Sequence, residues 1–162
     1  GITARHEQIL PPPVMPDKSA DALITTYCDR EGITLTQEQS NQAYYQPFAD
    51  RVVLPNLAQF SENAKYYSVA FHELIHSTGH ASRLARLDRK AAFGSEIYSK
   101  EELIAEIGAA ALVHHAGLET ASSFRNSAAY IQNWLTALRN DKRMIVSAAG
   151  KAEKAVDFIL GV

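Results

Sequence analysis

The sequence predicts an α+β domain in which a small N-terminal β-sheet precedes a mostly helical C-terminal part. Short β-prone runs lie early in the chain, long helical patterns lie late, and 162 residues are the length of one domain. The composition, with 46% hydrophobic and 21% charged residues, is typical of a globular protein. It excludes a disordered chain, a collagen-like repeat and a coiled coil. No apolar run approaches the roughly 18 residues that would cross a membrane, so we expect no membrane contact.

The charge and the cysteine content exclude further classes of function. Sixteen basic and eighteen acidic residues give a net charge of −2, which disfavours direct nucleic-acid binding by this domain. The single cysteine, Cys28, excludes an internal disulfide, and we therefore expect a reducing, cytoplasmic location. Residues 1–14 contain three consecutive prolines and no long apolar core, so they are not interpreted as a signal peptide.

The first helix and the first strand are predicted from helix-capping residues and from the alternation of apolar and polar residues. Residues 1–18 are proline-rich and without period, and we interpret them as an arm or linker remnant that precedes a domain at 19–162. The domain is expected to open with a helix that Ser19 or Asp21 caps and Gly32 ends. A short strand at 33–36 follows, because apolar and polar residues alternate there.

Two β-prone runs, 42–46 and 51–55, flank a turn-like stretch and predict a hairpin. Pro47 and Pro55 predict that its second strand is short and lies near an edge of the sheet, since proline cannot donate to a strand ladder.

A long helix is expected next. Ser61 is its predicted cap, Glu62 lies in the first turn, and Gly79 follows the last residue, Thr78. An apolar pattern with helical spacing runs through this segment, so we expect it to be buried along one face.

The last part of the chain is expected to hold three more helices after a loop with a helical turn at 80–98. Ser99 is predicted to open the first of them, which stops at Gly117. The other two cover roughly 123–140 and 146–160.

Histidines cluster inside the long helix. His72, His76 and His80 fall within nine residues, and the first two form a His-Glu-x-x-His pattern. Residues four apart share one helix face, so both imidazoles can reach a single ion. Glu73 follows the first histidine and can take a proton from a water that zinc activates and pass it to a leaving amine.

The alternative is an amphipathic helix whose polar face happens to carry two histidines. The pattern lies within a strongly apolar run, 69–75, where two histidines and Glu73 would be costly to bury without a partner. A bound metal ion would be such a partner, and we therefore favour a metal site.

A catalytic zinc normally has three protein ligands. On a continued helix His80 would lie about 12 Å along the axis from His72, so it is expected to support the site or face the substrate. Glu102 and Glu106 share a helix face, and one could bind metal while the other orients a histidine. Alternatively, Glu102 completes a capping box with Ser99, and Glu106 is solvated. The residues alone leave these alternatives open.

Two segments carry a family resemblance. They are Phe71–His80, followed by Arg83-Leu84, and Glu101–Ala110. Together they resemble the zincin-like metallopeptidase domain of ArdC-type antirestriction proteins, and the likeness covers the chain from about Ser19 onward. Related domains occur in polyvalent proteins of plasmids and phages and next to some conjugative primases.

The resemblance implies a zincin-like fold with a zinc cofactor, or manganese in its place, and a protein or peptide substrate. It also implies a setting of mobile DNA entering a new cell by conjugation, where the incoming DNA is protected from restriction. Family members carry a separate domain that binds single-stranded DNA.

A more distant likeness to ImmA/IrrE-type metallopeptidases bears on the ligands. By this analogy His72, His76 and Glu102 bind the metal, Glu106 is a polar neighbour of the ligands, and a histidine at the place of His80 is not a ligand.

Further roles are expected by analogy with zincins. Tyr98 is a candidate oxyanion donor, with an ordinary packed tyrosine as the alternative. The strand near 51–54 is the candidate that aligns the substrate backbone by strand addition. His114 and His115 are expected at the surface.

The expected function is thus a zinc-dependent peptidase that forms the C-terminal domain of an antirestriction-type protein. The main alternative is a catalytically silent, metal-binding interaction module, against which the intact Glu73 argues. A regulatory protease with one protein substrate and a toxin-type effector are further alternatives.

Overall fold

The computed structural model describes residues 10–87 and 91–162. Helix α1 covers Lys18–Glu31, and it begins where the Asp17 side chain accepts a hydrogen bond from the Ala20 N–H at 2.8 Å. The predicted caps at positions 19 and 21 are therefore wrong, because Asp17 already holds the first turn. The predicted end is confirmed, since Gly32 adopts φ 70°, a left-handed conformation that favours glycine. The first half of the predicted arm, 1–9, lies outside the described residues.

Three strands form one sheet: β1 at Thr34–Glu38, β2 at Tyr44–Gln46 and β3 at Arg51–Pro55. The predicted hairpin is confirmed, because β2 and β3 pair antiparallel. β1 pairs parallel to β3, so the order is β1-β3-β2 and β3 is central.

The prediction that β3 lies near an edge is therefore wrong. Pro47 lies in the turn and Pro55 ends the strand, so neither proline interrupts the middle of a ladder. The run Val52–Leu54 is fully buried, as is typical of a central strand. The edge strand of the hairpin is β2.

The helices that follow a short 3-10 turn are α2 at Asn63–Thr78, α3 at Glu96–His115, α4 at Ala121–Ala137 and α5 at Lys142–Leu160. Glu62, not Ser61, is the N-cap of α2, and Gly79 ends it as predicted.

Helix α3 begins about one turn earlier than predicted. Ser95 caps it by accepting a hydrogen bond from the Tyr98 N–H at 3.2 Å, and Ser99 is buried within the helix. The capping-box interpretation of Glu102 is therefore wrong, because Ser95 caps this helix and Glu102 does not take part in the cap.

Helices α2 and α3 approach closely at the centre of the domain. A Cβ atom on Gly108 would lie 2.6 Å from Ile75 Cδ1, so any larger residue at this crossing would force the Ile75 side chain to move. The surrounding core includes the fully buried Tyr67, Phe71 and Leu103, and it also buries the Cys28 thiol. In the described part of the chain, no helix has both the length and the apolar character needed to span a membrane.

Candidate metal centre

Helix α2 places two imidazoles side by side. His72 and His76 lie one turn apart on the face toward α3, and their Nε2 atoms are 3.0 Å apart. Both side chains are largely buried. Two nitrogen atoms that can bind metal are thus held at one point inside the domain.

Helix α3 adds a carboxylate at the same point. One oxygen of Glu102 lies 3.2 Å from His72 Nε2, and the other lies 3.0 Å from His76 Nε2. One ligand atom from each of the three residues lies within 4.8 Å of the others. The structure therefore brings together the three residues that the sequence analysis expected to bind metal.

The remaining nitrogen of each ring faces a second carboxylate. Glu106 Oε1 lies 3.3 Å from His72 Nδ1, and Glu101 Oε1 accepts a hydrogen bond from His76 Nδ1 at 3.2 Å. Such carboxylates fix the orientation of a ligating imidazole and raise its basicity. The alternative of a solvated Glu106 is wrong, because this side chain is 15% exposed and contacts the histidine.

Arg86 connects this cluster to the end of α2. Its guanidinium binds both carboxylate oxygens of Glu101, at 3.1 and 2.9 Å, and donates to the Ile75 carbonyl and the Thr78 hydroxyl. The arginine thus holds Glu101 in the position from which it orients His76.

Glu101 and Arg86 were not anticipated from the sequence as functional residues. The need for an acceptor at each histidine Nδ1 was a usable signal for Glu101, because two histidines require two such partners. No pattern distinguished Arg86 from the other arginines of its loop.

Protonation within the cluster follows from these contacts. Burial acts to lower the pKa of His72, but the carboxylates of Glu102 and Glu106 outweigh it and raise this pKa. The pKa of His76 is raised in the same way by Glu101 and Glu102. Conversely, burial acts to raise the pKa of Glu102, and the two histidines lower it.

The cluster therefore favours positive charge between its carboxylates, which a divalent cation can supply. Two imidazoles and a carboxylate are a donor set that suits zinc and is compatible with manganese. The residues fit such an ion.

Glu73 lies beside these groups and is only 8% exposed. Burial raises the pKa of its carboxyl group, although the charges of His76 and His72 and a backbone hydrogen bond from Tyr45 oppose this rise. A buried carboxyl group with a raised pKa, next to side chains that could hold a metal ion, has the properties of a general base.

A groove passes over the centre and has two ends, which share Ala43, His72, Glu73 and Glu102. We call the first, of about 980 Å³, the lysine end; among the residues that line it are Tyr44, Pro47, Leu87, Ile97, Lys100 and Lys151. We call the second, of about 740 Å³, the tryptophan end; among the residues that line it are Asn41, Phe60, Val69, Asn126, Tyr130 and Trp134.

The other expected site residues take different positions. Tyr98 lines the lysine end, and burial raises the pKa of its hydroxyl, with a further contribution from the charges of Glu102 and Glu73. His80 lines neither end, and its Nδ1 lies 2.7 Å from the Ser82 hydroxyl. The expectation that His80 faces the substrate is therefore wrong.

Two more expectations concern the surface and the sheet. His114 and His115 are exposed, as predicted. The expectation that the strand at 51–54 aligns a substrate is wrong, because this strand is central and β2 lies between it and the groove edge.

Comparisons with known proteins agree with this geometry. The family model of a zincin-like metallopeptidase, MPTase-PolyVal, matches residues 20–151. Two DNA primases named TraC from Escherichia coli are 41% and 43% identical over 80% of this chain, which spans 9% and 12% of their lengths. An uncharacterized protein of Sinorhizobium fredii, y4eC, is 36% identical over 91% of this chain and 47% of its own.

Solved structures of the antirestriction protein ArdC from plasmid R388 are also similar. The Mn(II)-bound form has a TM-score of 0.73 and 37% identity, over 94% of this chain and 54% of that one. The metal-free form has a TM-score of 0.70 and 37% identity, over 93% and 52%. The chain thus spans about half the length of ArdC.

Proposed function

Because this chain belongs to the zincin-like metallopeptidase family, we propose that it is a metal-dependent peptidase domain of an antirestriction-type protein encoded on mobile DNA. One observation carries the proposal: Glu73 is buried beside three side chains whose ligand atoms lie within 4.8 Å of one another. We further propose that this domain extends from Asp17 to residue 162, because Asp17 caps α1 and its backbone N–H donates to the Tyr67 hydroxyl, so the predicted boundary at residue 19 moves two residues earlier.

We propose His72, His76 and Glu102 as the ligands of the metal, with Glu106 and Glu101 orienting the two imidazoles. Zinc is the proposed ion and manganese the alternative, since the related ArdC was solved with Mn(II). When bound, the metal supplies a Lewis acid that polarises the scissile carbonyl and makes water acidic near neutral pH.

Glu73 acts as general base and then as general acid. Its carboxylate takes a proton from the attacking water and passes it to the leaving amine nitrogen. The raised pKa suits both steps, because a group that ionises closer to neutral pH can accept and return a proton. Tyr98, at the lysine end, is proposed to donate its hydroxyl proton in a hydrogen bond to the developing oxyanion.

The substrate backbone is proposed to pair with β2. The stretch 41–47 contributes residues to both ends of the groove, and β2 pairs with β3 on one side only within the described residues. An extended peptide can add to such an edge through backbone hydrogen bonds. This arrangement would place the scissile bond at the metal centre.

The test compares zinc-loaded wild type with Glu73→Gln, which keeps the shape of the side chain but cannot take a proton. We expect elemental analysis to find about one metal ion per chain in both proteins. The variant should cleave a randomised peptide library about 100-fold more slowly than wild type, or slower still. The same change at the exposed Glu153 of α5 should leave both readouts unaltered.

Two outcomes would contradict the proposal. Loss of metal together with cleavage in Glu73→Gln would show that Glu73 binds metal instead of water. Stoichiometric metal without any cleavage by wild type would favour the metal-binding interaction module.

A further inference from the structure

The two ends of the groove differ in charge. The tryptophan end presents hydroxyl, amide and aromatic groups of α4 and one lysine, Lys65, which forms an exposed pair with Glu62 at 3.7 Å. The lysine end is lined by two lysines, Lys100 and Lys151, together with both polar and apolar side chains. An extended substrate would therefore meet different chemistry on the two sides of its scissile bond.

The carboxylates at the lysine end do not neutralise these lysines. Glu73, Glu101 and Glu102 belong to the metal centre, and Glu101 is also paired with Arg86. Arg86 thus balances one of these carboxylates and a bound metal ion would balance the other two, and none of the three forms an ion pair with Lys100 or Lys151 in the part of the chain that the structure describes.

The two lysines are open to a new partner. Lys100 lies 2.7 Å from Glu96, but such exposed pairs contribute little, so this lysine can exchange its partner. Lys151 is exposed and makes no ion pair with any residue in 10–87 or 91–162.

Large exposed apolar side chains lie next to residues that line the same end. Phe48, next to Pro47 in the β2–β3 turn, is 98% exposed, and Phe93 is 88% exposed with its ring 5.0 Å from that of Tyr98. Ile97 lines the groove and is half exposed. Aromatic side chains held open beside a groove are typical of protein contact surfaces.

We propose that the lysine end selects protein segments in which an acidic residue lies close to a bulky apolar residue on one side of the cleaved bond. Lys151, with Lys100, attracts the carboxylate, and Phe48 and Phe93 cover the apolar side chain. The inference rests on the proposed function, because it names the substrate class of that same site.

The test uses a charge reversal and a matched control. Zinc-loaded wild type, Lys151→Glu and Lys154→Glu are incubated with a randomised decapeptide library, and mass spectrometry identifies the cleaved bonds. Lys154 lies on the same helix, is exposed and lines neither end of the groove. We expect aspartate and glutamate to be enriched about threefold on one side of the bond by wild type and Lys154→Glu.

Lys151→Glu should lose this enrichment or favour lysine and arginine. The same enrichment in Lys151→Glu as in wild type would overturn the inference. So would cleavage by wild type that shows no preference for acidic residues.

The apolar part is tested separately. Phe93→Ser should lower the enrichment of bulky apolar residues, whereas Phe124→Ser, at an exposed position on α4 that lines neither end, should not. Equal profiles for the two variants would overturn the role of Phe93.

A binding experiment separates this inference from the proposed peptidase. The same library is passed over immobilised, zinc-loaded Glu73→Gln, and the retained peptides are sequenced. Retention enriched in acidic residues, without cleavage by wild type, would support the lysine end and overturn the peptidase. Cleavage by wild type without acidic enrichment would support the peptidase and overturn the selectivity of the lysine end. The absence of both retention and cleavage would overturn both proposals.

Discussion

Two polar clusters contact α2, and they balance their charge differently. The arginine cluster consists of Arg83 and its partners Asp50, Glu31 and Ser77. The Arg83 side chain is 2% exposed, binds both oxygens of Asp50 at 2.9 and 2.6 Å, and donates to the carbonyls of Ser77 and Glu31. The chain supplies its own buried cation here.

The metal centre has an excess of acceptors instead. Its four carboxylates are those of Glu73, Glu101, Glu102 and Glu106, and among the described residues Arg86 is the arginine that pairs with them. Buried carboxylates require nearby positive charge. The comparison teaches that a cluster built around its own buried arginine stabilises the fold, whereas one with four carboxylates and one arginine is suited to binding a further cation.

The largest effect is expected at the arginine cluster. Arg83→Met leaves the Asp50 carboxylate without its cation and should lower the free energy of unfolding by about 3–5 kcal/mol. Urea denaturation followed by circular dichroism measures this change. The metal content of the folded variant should stay at the wild-type level, and a parallel loss of metal would show that the clusters are not independent.

The spacing of α2 and α3 should matter next. Gly108→Ala places a methyl group against Ile75 and should destabilise the protein by about 1–3 kcal/mol. Gly150→Ala, inside α5 with open space at the Cβ position, should instead stabilise it by about 0.5–1 kcal/mol. Similar urea midpoints for the two variants would contradict the close helix contact.

Removing an orienting carboxylate should weaken metal binding without abolishing it. Glu101→Gln should raise the zinc dissociation constant about 10- to 100-fold, because His76 and Arg86 lose their shared anion. Competition with a chromogenic chelator measures this constant, with Glu153→Gln as the control. An unchanged constant would mean that the contact with His76 does not support metal binding.

The smallest effect concerns pH. Burial acts to raise the pKa of Asp50, but hydrogen bonds from Arg83 and Tyr45 outweigh it and lower this pKa. A carboxyl group with a lowered native pKa adds stability above its unfolded pKa of about 3.9, and this stability is lost as the pH falls through the native pKa. Wild type should therefore exceed Asp50→Asn in stability at pH 6 and approach it below pH 4.

Asparagine is the matched replacement, since Asp50 has φ 48° and asparagine tolerates this left-handed conformation. Chemical denaturation at several pH values measures the difference, and Asp29→Asn on the exposed face of α1 is the control. A constant difference across this range would contradict the ion pair with Arg83.

Most of the fold could be predicted from local patterns. The hairpin, the helix ends at Gly32 and Gly79, and the α+β class follow from short-range signals, which sequence carries directly. The central position of β3 could not be derived from Pro47 and Pro55, because strand order depends on the parallel partner β1, which is distant in the chain.

The site was predictable to the extent that its residues share a helix face. The spacing of His72 and His76 places them together on any helix, whereas the choice of Glu102 needed a family resemblance. The contacts of Glu101 and Arg86 depend on how α3 and the preceding loop pack against α2, and spacing within one segment does not specify such packing.

Because Cys28 is buried, the reactivity of its thiol reports how often the domain opens. Burial raises the pKa of this thiol to about 12, so the native protein presents almost no thiolate to an alkylating reagent. Alkylation by iodoacetamide then proceeds only as fast as the domain opens around α1. If zinc binding stabilises the whole domain, added zinc should slow the alkylation by a factor set by the ratio of the zinc concentration to its dissociation constant. Cys28 would then report metal binding from α1, a helix that contributes none of the proposed ligands.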